Sequence, residues 1–348
     1  MEKGAEIDCR DVSNQTPLIN AAYNGHKKIV ELLLEKGAEV TCIDFQNKTP
    51  IEHAIIGGHT SIASFLLGKG ARFDCENDVF STALLEASQF GREEMAKFLL
   101  QNGMNANLRD KNELSLGWTP LMHAARWGHE AIVKLCLENG AEINAGYGDG
   151  MTSLDIAALV GRTTVVKLLL KRGAEVDLRM ESPHNTLFQA IFGGDAAVVA
   201  VLLDQGVCSQ TETTKTNHLF IQAVKVTIST EHLSVLKLLL TKSDVIDGED
   251  GEGRTPLFWA IDSQREKMIS LLLDCGANIE SKDKYCWTPL MYAIVQGAYL
   301  PVVKILLDRG ADINAEDDEG QTPLSVIKRN PTLTDQLETY IPGLKIDR

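Results

Sequence analysis

A threonine heading a short apolar stretch returns at a fixed interval along this chain, and a glycine returns with it. Thr16, Thr49 and Thr82 are spaced 33 apart, and so are Gly37, Gly70 and Gly103. Thr119 follows Thr82 by 37, an insertion of four, and Thr152 follows 33 later. Leu154 to Leu187 is again 33, with Asn185 and Thr186 in place of Thr-Pro. Leu219 heads a seventh copy, and Thr255, Thr288 and Thr322 head the last three, giving about ten copies in 348 residues. Length alone would suggest two or three globular domains. A repeat overrides that prior, because each copy must stack on its neighbours to bury its apolar face.

The stretch 117–144, GWTPLMHAARWGHEAIVKLCLENGAEIN, shows the unit most clearly. Thr119 can cap free backbone N–H groups, and Pro120 loses no bond at the first helical position. Leu121, Ala124 and Ala125 share one face of a short helix, and Gly128 breaks it. Ile132, Val133, Leu135, Cys136 and Leu137 make a second, more apolar helix, with Gly140 placed for a left-handed cap.

A 33-residue period carrying T-P-L-x-x-A, then G-H, then L-L-L-x-x-G-A closely resembles the ankyrin repeat. NQTPLINAAYNGHKKIVELLLEKGAEV and CWTPLMYAIVQGAYLPVVKILLDRGADIN match as well as the stretch above. The resemblance implies an all-α repeat solenoid, a single elongated curved domain of helix-turn-helix units with β-hairpin fingers. It also implies that fingers and first helices line a concave face where partners bind. The expected layout is the tail of a partial repeat over 1–10, regular repeats over 11–206 with a finger insertion at 113–116, and an irregular repeat over 207–250. Regular repeats resume over 251–316, and a capping repeat covers 317–348, with a final polar helix after Pro331.

Several departures from the pattern matter. The histidine that often follows T-P-L is missing from every copy. Ile19, Glu52, Leu85, Met122, Asp155, Phe188, Phe220, Phe258, Met291 and Ser325 stand there; most are apolar, so in these copies packing is expected to replace its hydrogen bond. The irregular repeat has about five extra residues within Lys225–Thr230, between its helices. It also has a threonine-rich stretch, Thr211–Thr216, read as a loop, and Ser243-Asp244 in place of Gly-Ala. Coupling to neighbours is expected to be weakest there, giving a change of curvature or an early-melting joint.

Composition narrows the function classes. Basic residues number 34 against 48 acidic, a net charge of −14, the wrong sign for holding nucleic acid by phosphate neutralisation. No apolar run has the roughly 18 residues of a membrane-spanning helix, and MEKGAEIDCR has no signal-peptide core. The expected compartment is the cytoplasm, with the nucleus as the alternative. Seven cysteines, without a C-x-x-C pair, read as reduced thiols. Cys9, Cys42 and Cys75 share one repeat slot, filled by Ala145 and Ala315 elsewhere.

No catalytic, metal-binding or cofactor-binding constellation emerges, and the chain is read as non-enzymatic. His26, His59 and His129 recur in the G-H slot, a position of the repeat. His123 lacks metal-ligand spacing. GYGDG at 146–150 has neither the strand nor the G-K-[ST] of a phosphate loop. The acidic run Asp244, Asp247, Glu249, Asp250 and Glu252 does not fit a calcium loop, although with Asp317, Asp318 and Glu319 it favours a basic partner toward the C-terminal half. Asn314 resembles the finger asparagine that some ankyrin proteins present for hydroxylation.

Aromatic residues at finger and concave-face positions remain. Trp118, Arg126 and Trp127, with Phe90 in the slot of Trp127 one repeat earlier, form the main candidate contact site, joined by Leu114 and Leu116 of the lengthened finger. Phe45, Phe192, Tyr285 and Trp287 extend the pattern, whereas Trp259 occupies an inward slot. The reading is a monomeric scaffold or adaptor that binds a protein or peptide. The alternative is a regulatory or targeting segment of a larger enzyme or channel.

Overall fold

Each copy starts where a threonine hydroxyl reaches the free N–H groups of a new helix. In the computed structural model Thr16 Oγ1 accepts from Ile19 N, and Thr119 Oγ1 accepts from Met122 N, each followed by proline at the first helical position. The structure describes residues 6–111, 117–148, 150–177, 185–204, 213–230, 232–242, 246–297 and 300–341. The helices run in pairs: α1 (Pro17–Tyr23) and α2 (Lys27–Glu35), α3 (Pro50–Ile56) and α4 (Thr60–Gly68), α5 (Asp78–Phe90) and α6 (Glu93–Gln101). Then follow α7 (Pro120–Trp127) and α8 (Glu130–Glu138), α9 (Ser153–Leu159) and α10 (Thr163–Lys171), α11 (Thr186–Gly193) and α12 (Ala196–Leu202). The last are α13 (Thr213–Thr230) and α14 (Leu233–Lys242), α15 (Pro256–Asp262) and α16 (Glu266–Asp274), α17 (Pro289–Val295) and α18 (Leu300–Asp308), α19 (Pro323–Lys328) and α20 (Pro331–Tyr340).

The pairs fall into two compact units. Unit 1 is Met1–Ala157 with Arg162–Glu175; unit 2 is Ala158–Gly161 with Val176–Arg348. In unit 1 the first helices α1, α3, α5 and α7 pack side by side, and the second helices α2, α4, α6, α8 and α10 form a parallel row. Unit 2 repeats this with α11, α13, α15, α17 and α19 in one row and α12, α14, α16, α18 and α20 in the other. The core is the seam between rows. Leu18, Ala22, Ala54, Ala87, Leu121, Ala124 and Ala125 are buried from the first helices, and Val30, Ile62, Leu99 and Val133 from the second. Each large aliphatic side chain buried there contributes about 1.5–3 kcal/mol relative to exposure. The alanines let the first helices approach closely. Repeats are also tied through backbone groups: Asn107 accepts from Glu142 N at 2.7 Å and Asn144 from Glu175 N at 3.0 Å.

Three local expectations need correction. Thr82 does not head its helix: α5 starts at Asp78, capped by Asn77, whose side chain accepts from Val79 N. Thr82 is followed by Ala83 and lacks the proline that stops a helix from extending upstream. In the irregular repeat the extra residues lengthen α13 to 18 residues instead of forming a loop, and Thr213–Thr216 belong to that helix. The threonines there bond back to the preceding turn, Thr227 Oγ1 donating to Ala223 O and Thr230 Oγ1 to Val226 O, so β-branched residues are accommodated within the helix. Ser243 and Asp244 lie outside the described residues. The fingers contain no strand among the described residues, only an isolated antiparallel bridge between Tyr147 and Met151 within the glycine-rich 146–150 stretch. The helix after Pro331 forms as expected, burying Leu333, Thr334 and Leu337 and leaving its outer side polar.

All six cysteines among the described residues are free thiols. Cys42 is buried with its sulfur 3.2 Å from Thr16 Oγ1, and Ser281 makes the equivalent contact with Thr255 at 3.3 Å. That slot therefore selects a small, weakly polar side chain. Burial pushes the Cys136 thiol up to about 12. Ellman's reagent should label Cys9, Cys75 and Cys275 in the native protein, and Cys42 and Cys136 only on unfolding, as peptide mass spectrometry will report. Equal labelling rates for Cys136 and Cys275 would contradict this packing.

Candidate protein-interaction surface

In unit 1 the first helices end on a column of exposed apolar side chains. Tyr23, Ile56, Phe90 and Trp127 are the last residues of α1, α3, α5 and α7, with exposures of 49%, 43%, 61% and 47%. Glycine makes these ends possible. Gly91 and Gly128 cap α5 and α7 in the left-handed region at φ 73° and 82°, which a side chain with Cβ adopts at a cost.

The G-H slot holds the column in register. His59 Nε2 is 3.0 Å from Tyr23 O, and His129 Nε2 is 3.0 Å from Gln89 O, one repeat earlier in each case. Arg162 Nε donates to Arg126 O at 3.0 Å in the same way. The histidine rings lie directly over glycines: a Cβ on Gly25 would stand 2.4 Å from His59, and one on Gly91 2.6 Å from His129. These histidines link neighbouring repeats, consistent with a repeat slot.

The fingers are built by aspartates. Asp44 Oδ1 accepts from Gln46 N at 2.8 Å and Lys48 N at 2.9 Å, closing a tip in which Asn47 has φ 58°. Asp11, Asp250, Asp283 and Asp317 make the same pair of bonds in their own fingers. The other carboxylate oxygen meets the residue two positions beyond the repeat leucine or its equivalent. It lies 2.9 Å from Nε2 of His53 at Asp44, and accepts from Trp259 Nε1 at 3.1 Å at Asp250. Asn20 reaches Asp11 at 3.4 Å, and His123 Nε2 lies 3.3 Å from Asp110. In the slot after the repeat leucine, Ile19, Met122, Phe258 and Met291 are buried as the packing expectation had it, whereas Glu52, Asp155 and Ser325 accept from the N–H of Thr49, Thr152 and Thr322. Burial raises the Asp44 carboxyl, but the N–H groups of Lys48 and Gln46 and the His53 ring outweigh it and hold it below the usual carboxylate range. Burial also lowers the pKa of His123, opposed by Asp110.

Trp118 and Arg126 come together. The Trp118 ring is half-buried at the base of its finger, 5.3 Å from His123 and 6.0 Å from Tyr147, with the Arg126 guanidinium 5.7 Å away. Trp127 and Phe90 stand at helix ends, and the Arg92 guanidinium lies 5.8 Å from the Phe90 ring. Phe45 is exposed on its finger tip. In unit 2 Phe192 and Tyr285 are exposed, Trp287 is half-buried 5.5 Å from Tyr285, and Trp259 is buried as its slot implied. Leu114 and Leu116 lie outside the described residues. Tyr23 and Ile56 were missed because they sit one repeat position before the Trp127 slot. Their helices stop one residue earlier, at Asn24 and Gly57, so a different slot becomes the terminal one.

Much of the acidic run serves the fold. Asp247 accepts from Asn278 N, Asp250 holds its finger and Glu252 pairs with Lys284. Among the described residues no group of three His, Cys, Asp or Glu side chains is arranged to hold a metal, and no helix is long and apolar enough to cross a membrane.

The family profile described as "Ankyrin repeats (3 copies)" matches residues 1–77, 84–180, 187–283 and 220–317. No curated protein matches the chain by sequence. Among solved structures, the human ASB11 ankyrin repeat domain is similar at 28% identity and a TM-score of 0.53, over 66% of this chain and 98% of that one. The ankyrin repeat domain of Bcl-3, a member of the IkappaB protein family, aligns at 27% identity over 60% of this chain and 94% of that one, with a TM-score of 0.49. Thr-Pro caps, glycine-bounded helix pairs and aspartate-closed fingers, matched along most of its length by the family profile, make this chain a member of the ankyrin-repeat family.

Proposed function

We propose that this chain is a non-catalytic scaffold whose unit 1 binds a partner protein across its first-helix ends and fingers. Ankyrin repeats are protein–protein interaction modules, and the observation that carries the reading is the exposed column Tyr23, Ile56, Phe90 and Trp127. Aromatic side chains dominate interface energetics, and here they project from a preformed row of helices, so little ordering cost opposes binding. Trp118 and Arg126 support the column from the finger side, and Phe45 extends it. Phe192, Tyr285 and Trp287 are the corresponding candidates in unit 2. There the exposed Glu316, Asp318 and Glu319 favour a basic segment.

Crosslinking in cells with a Phe90→Ala/Trp127→Ala variant tests this. Capture of the main partner should fall at least ten-fold, with far-ultraviolet dichroism unchanged because both side chains are exposed. An unchanged set of captured proteins would remove this surface from consideration.

A further inference from the structure

Asparagine stands directly before a left-handed glycine at three helix ends of unit 1. Asn24–Gly25 closes α1, Asn102–Gly103 closes α6 and Asn139–Gly140 closes α8, with glycine φ values of 77°, 93° and 84°. Each side chain is bonded into its own helix: Nδ2 donates to Asn20 O, Phe98 O and Leu135 O at 2.8, 2.7 and 2.8 Å. The backbone N–H of the same asparagine donates to the same carbonyl in each case. The side-chain amide therefore doubles the last bond of the helix, next to a glycine whose conformation a residue with Cβ adopts at a cost.

An asparagine followed by glycine is also a reactive pair, because no side chain hinders approach to the glycine nitrogen. That nitrogen attacks the asparagine Cγ, and its proton leaves with the side-chain amide as ammonia. The resulting five-membered succinimide then opens with one water to aspartate or isoaspartate. Attack requires the glycine N–H to leave its acceptor and the asparagine Nδ2 to be released, so a local opening of the helix end comes first. The three pairs differ in how firmly they are held. Gly103 N donates to Leu100 O at 3.1 Å, Gly140 N to Leu137 O at 3.3 Å and Gly25 N to Ala22 O at 3.4 Å. Asn102 is half-buried, with Cys75 Sγ 3.6 Å from its carbonyl oxygen, whereas Asn24 and Asn139 are exposed.

We infer that Asn24 and Asn139 are sites of spontaneous deamidation, converting to isoaspartate and aspartate ahead of Asn102. At Asn24 the change reaches beyond its own helix. Tyr23 O, one residue earlier, meets His59 Nε2 at 3.0 Å, and the His59 ring lies over Gly25. An isoaspartyl link routes the main chain through Cβ and adds a carbon between Tyr23 and Gly25, so the ring loses its fit to both. Either product also turns the donor that faces Asn20 O into a carboxylate, at the negative end of α1. The end of α1 is thereby loosened from the second repeat, and a negative charge is set beside Tyr23 of the exposed column. The modification stands apart from the reading of unit 1 as an interaction surface; its effect on binding rests on that reading.

The test ages the full chain at physiological pH and temperature and follows the three asparagines by peptide mass spectrometry, with isoaspartate identified by enzymatic methylation. Asn24 and Asn139 should each convert at least five-fold faster than Asn102. In urea, where the helix ends no longer differ, the three rates should converge. Asn24→Gln keeps an amide donor but closes the larger ring far more slowly, so conversion at that position should disappear. Asn24→Asp should speed hydrogen exchange over α1 several-fold in the unaged protein. Partner capture should fall as wild type ages and hold in aged Asn24→Gln. Conversion of Asn102 as fast as the other two in the native chain would overturn the inference. So would intact Asn24 and Asn139 in a native chain whose unfolded form deamidates. If both convert as expected and capture does not change, the link to the surface fails and the modification stands.

Discussion

Replacing Gly57 with alanine should destabilise unit 1 by about 3 kcal/mol, the scale of overpacking against an immovable neighbour. Gly57 has an ordinary φ of −70°, so the added methyl strains no dihedral. The cost is contact: a Cβ there would lie 2.3 Å from the backbone oxygen of Tyr23 and 2.7 Å from the His59 ring. That oxygen is also the one His59 Nε2 meets, so making room breaks one of the links between the first two repeats. Gly68 is the control. It lies in α4 with nothing within 4 Å of a Cβ, and Gly68→Ala should gain up to about 1 kcal/mol from helix propensity. Urea midpoints with hydrogen exchange over α1 to α4 will separate the two. A Gly57→Ala protein as stable as wild type would mean that α1 and α3 do not approach as described.

The second large effect is expected at Asp250 in unit 2. Its carboxylate accepts from Glu252 N, Arg254 N and Trp259 Nε1 at 2.9, 3.0 and 3.1 Å, and lies 3.2 Å from the Arg254 guanidinium. Asp250→Ala opens the finger and leaves the indole N–H of the buried Trp259 without its acceptor, costing about 3 kcal/mol. The same group sets a pH dependence. Burial raises its pKa, but the backbone N–H groups of Arg254 and Glu252, Trp259 and the Arg254 charge outweigh burial and hold it below 3.8. A carboxyl depressed on folding stabilises the fold above its unfolded pKa, and that stability is lost as pH falls through the folded value. The urea midpoint of unit 2 should therefore be flat from pH 7 to about 5 and fall below about pH 4. The Asp250→Ala protein should start lower and fall less. Parallel curves for the two proteins would exclude Asp250 as a source of the slope.

How far each feature could be read from the chain depends on how local its cause is. Thr-Pro at a helix start acts through the residue's own hydroxyl and ring, and helix pairs headed by Thr16, Thr49, Thr119, Thr255, Thr288 and Thr322 were legible with no structure. Thr82 looked equivalent by spacing but lacks proline, and Asn77 captured the cap upstream. The finger aspartates gave a weaker signal, since their bonds pair a turn residue with a side chain nine positions on. The exposed column was half legible. Phe90 and Trp127 share a repeat slot, whereas Tyr23 and Ile56 occupy the slot before it and become the exposed terminal residues because their helices end one residue sooner.

By itself the sequence determined the period, the helix pairs and their caps, because backbone capping and left-handed glycine turns are decided within a few residues. Only the tertiary structure decided which apolar side chains stay in solvent and which carboxylates are engaged in fingers. Those outcomes depend on how closely the adjacent repeat can approach. Ile55 in place of an alanine, or a methyl on Gly57, changes that distance while leaving the 33-residue pattern intact.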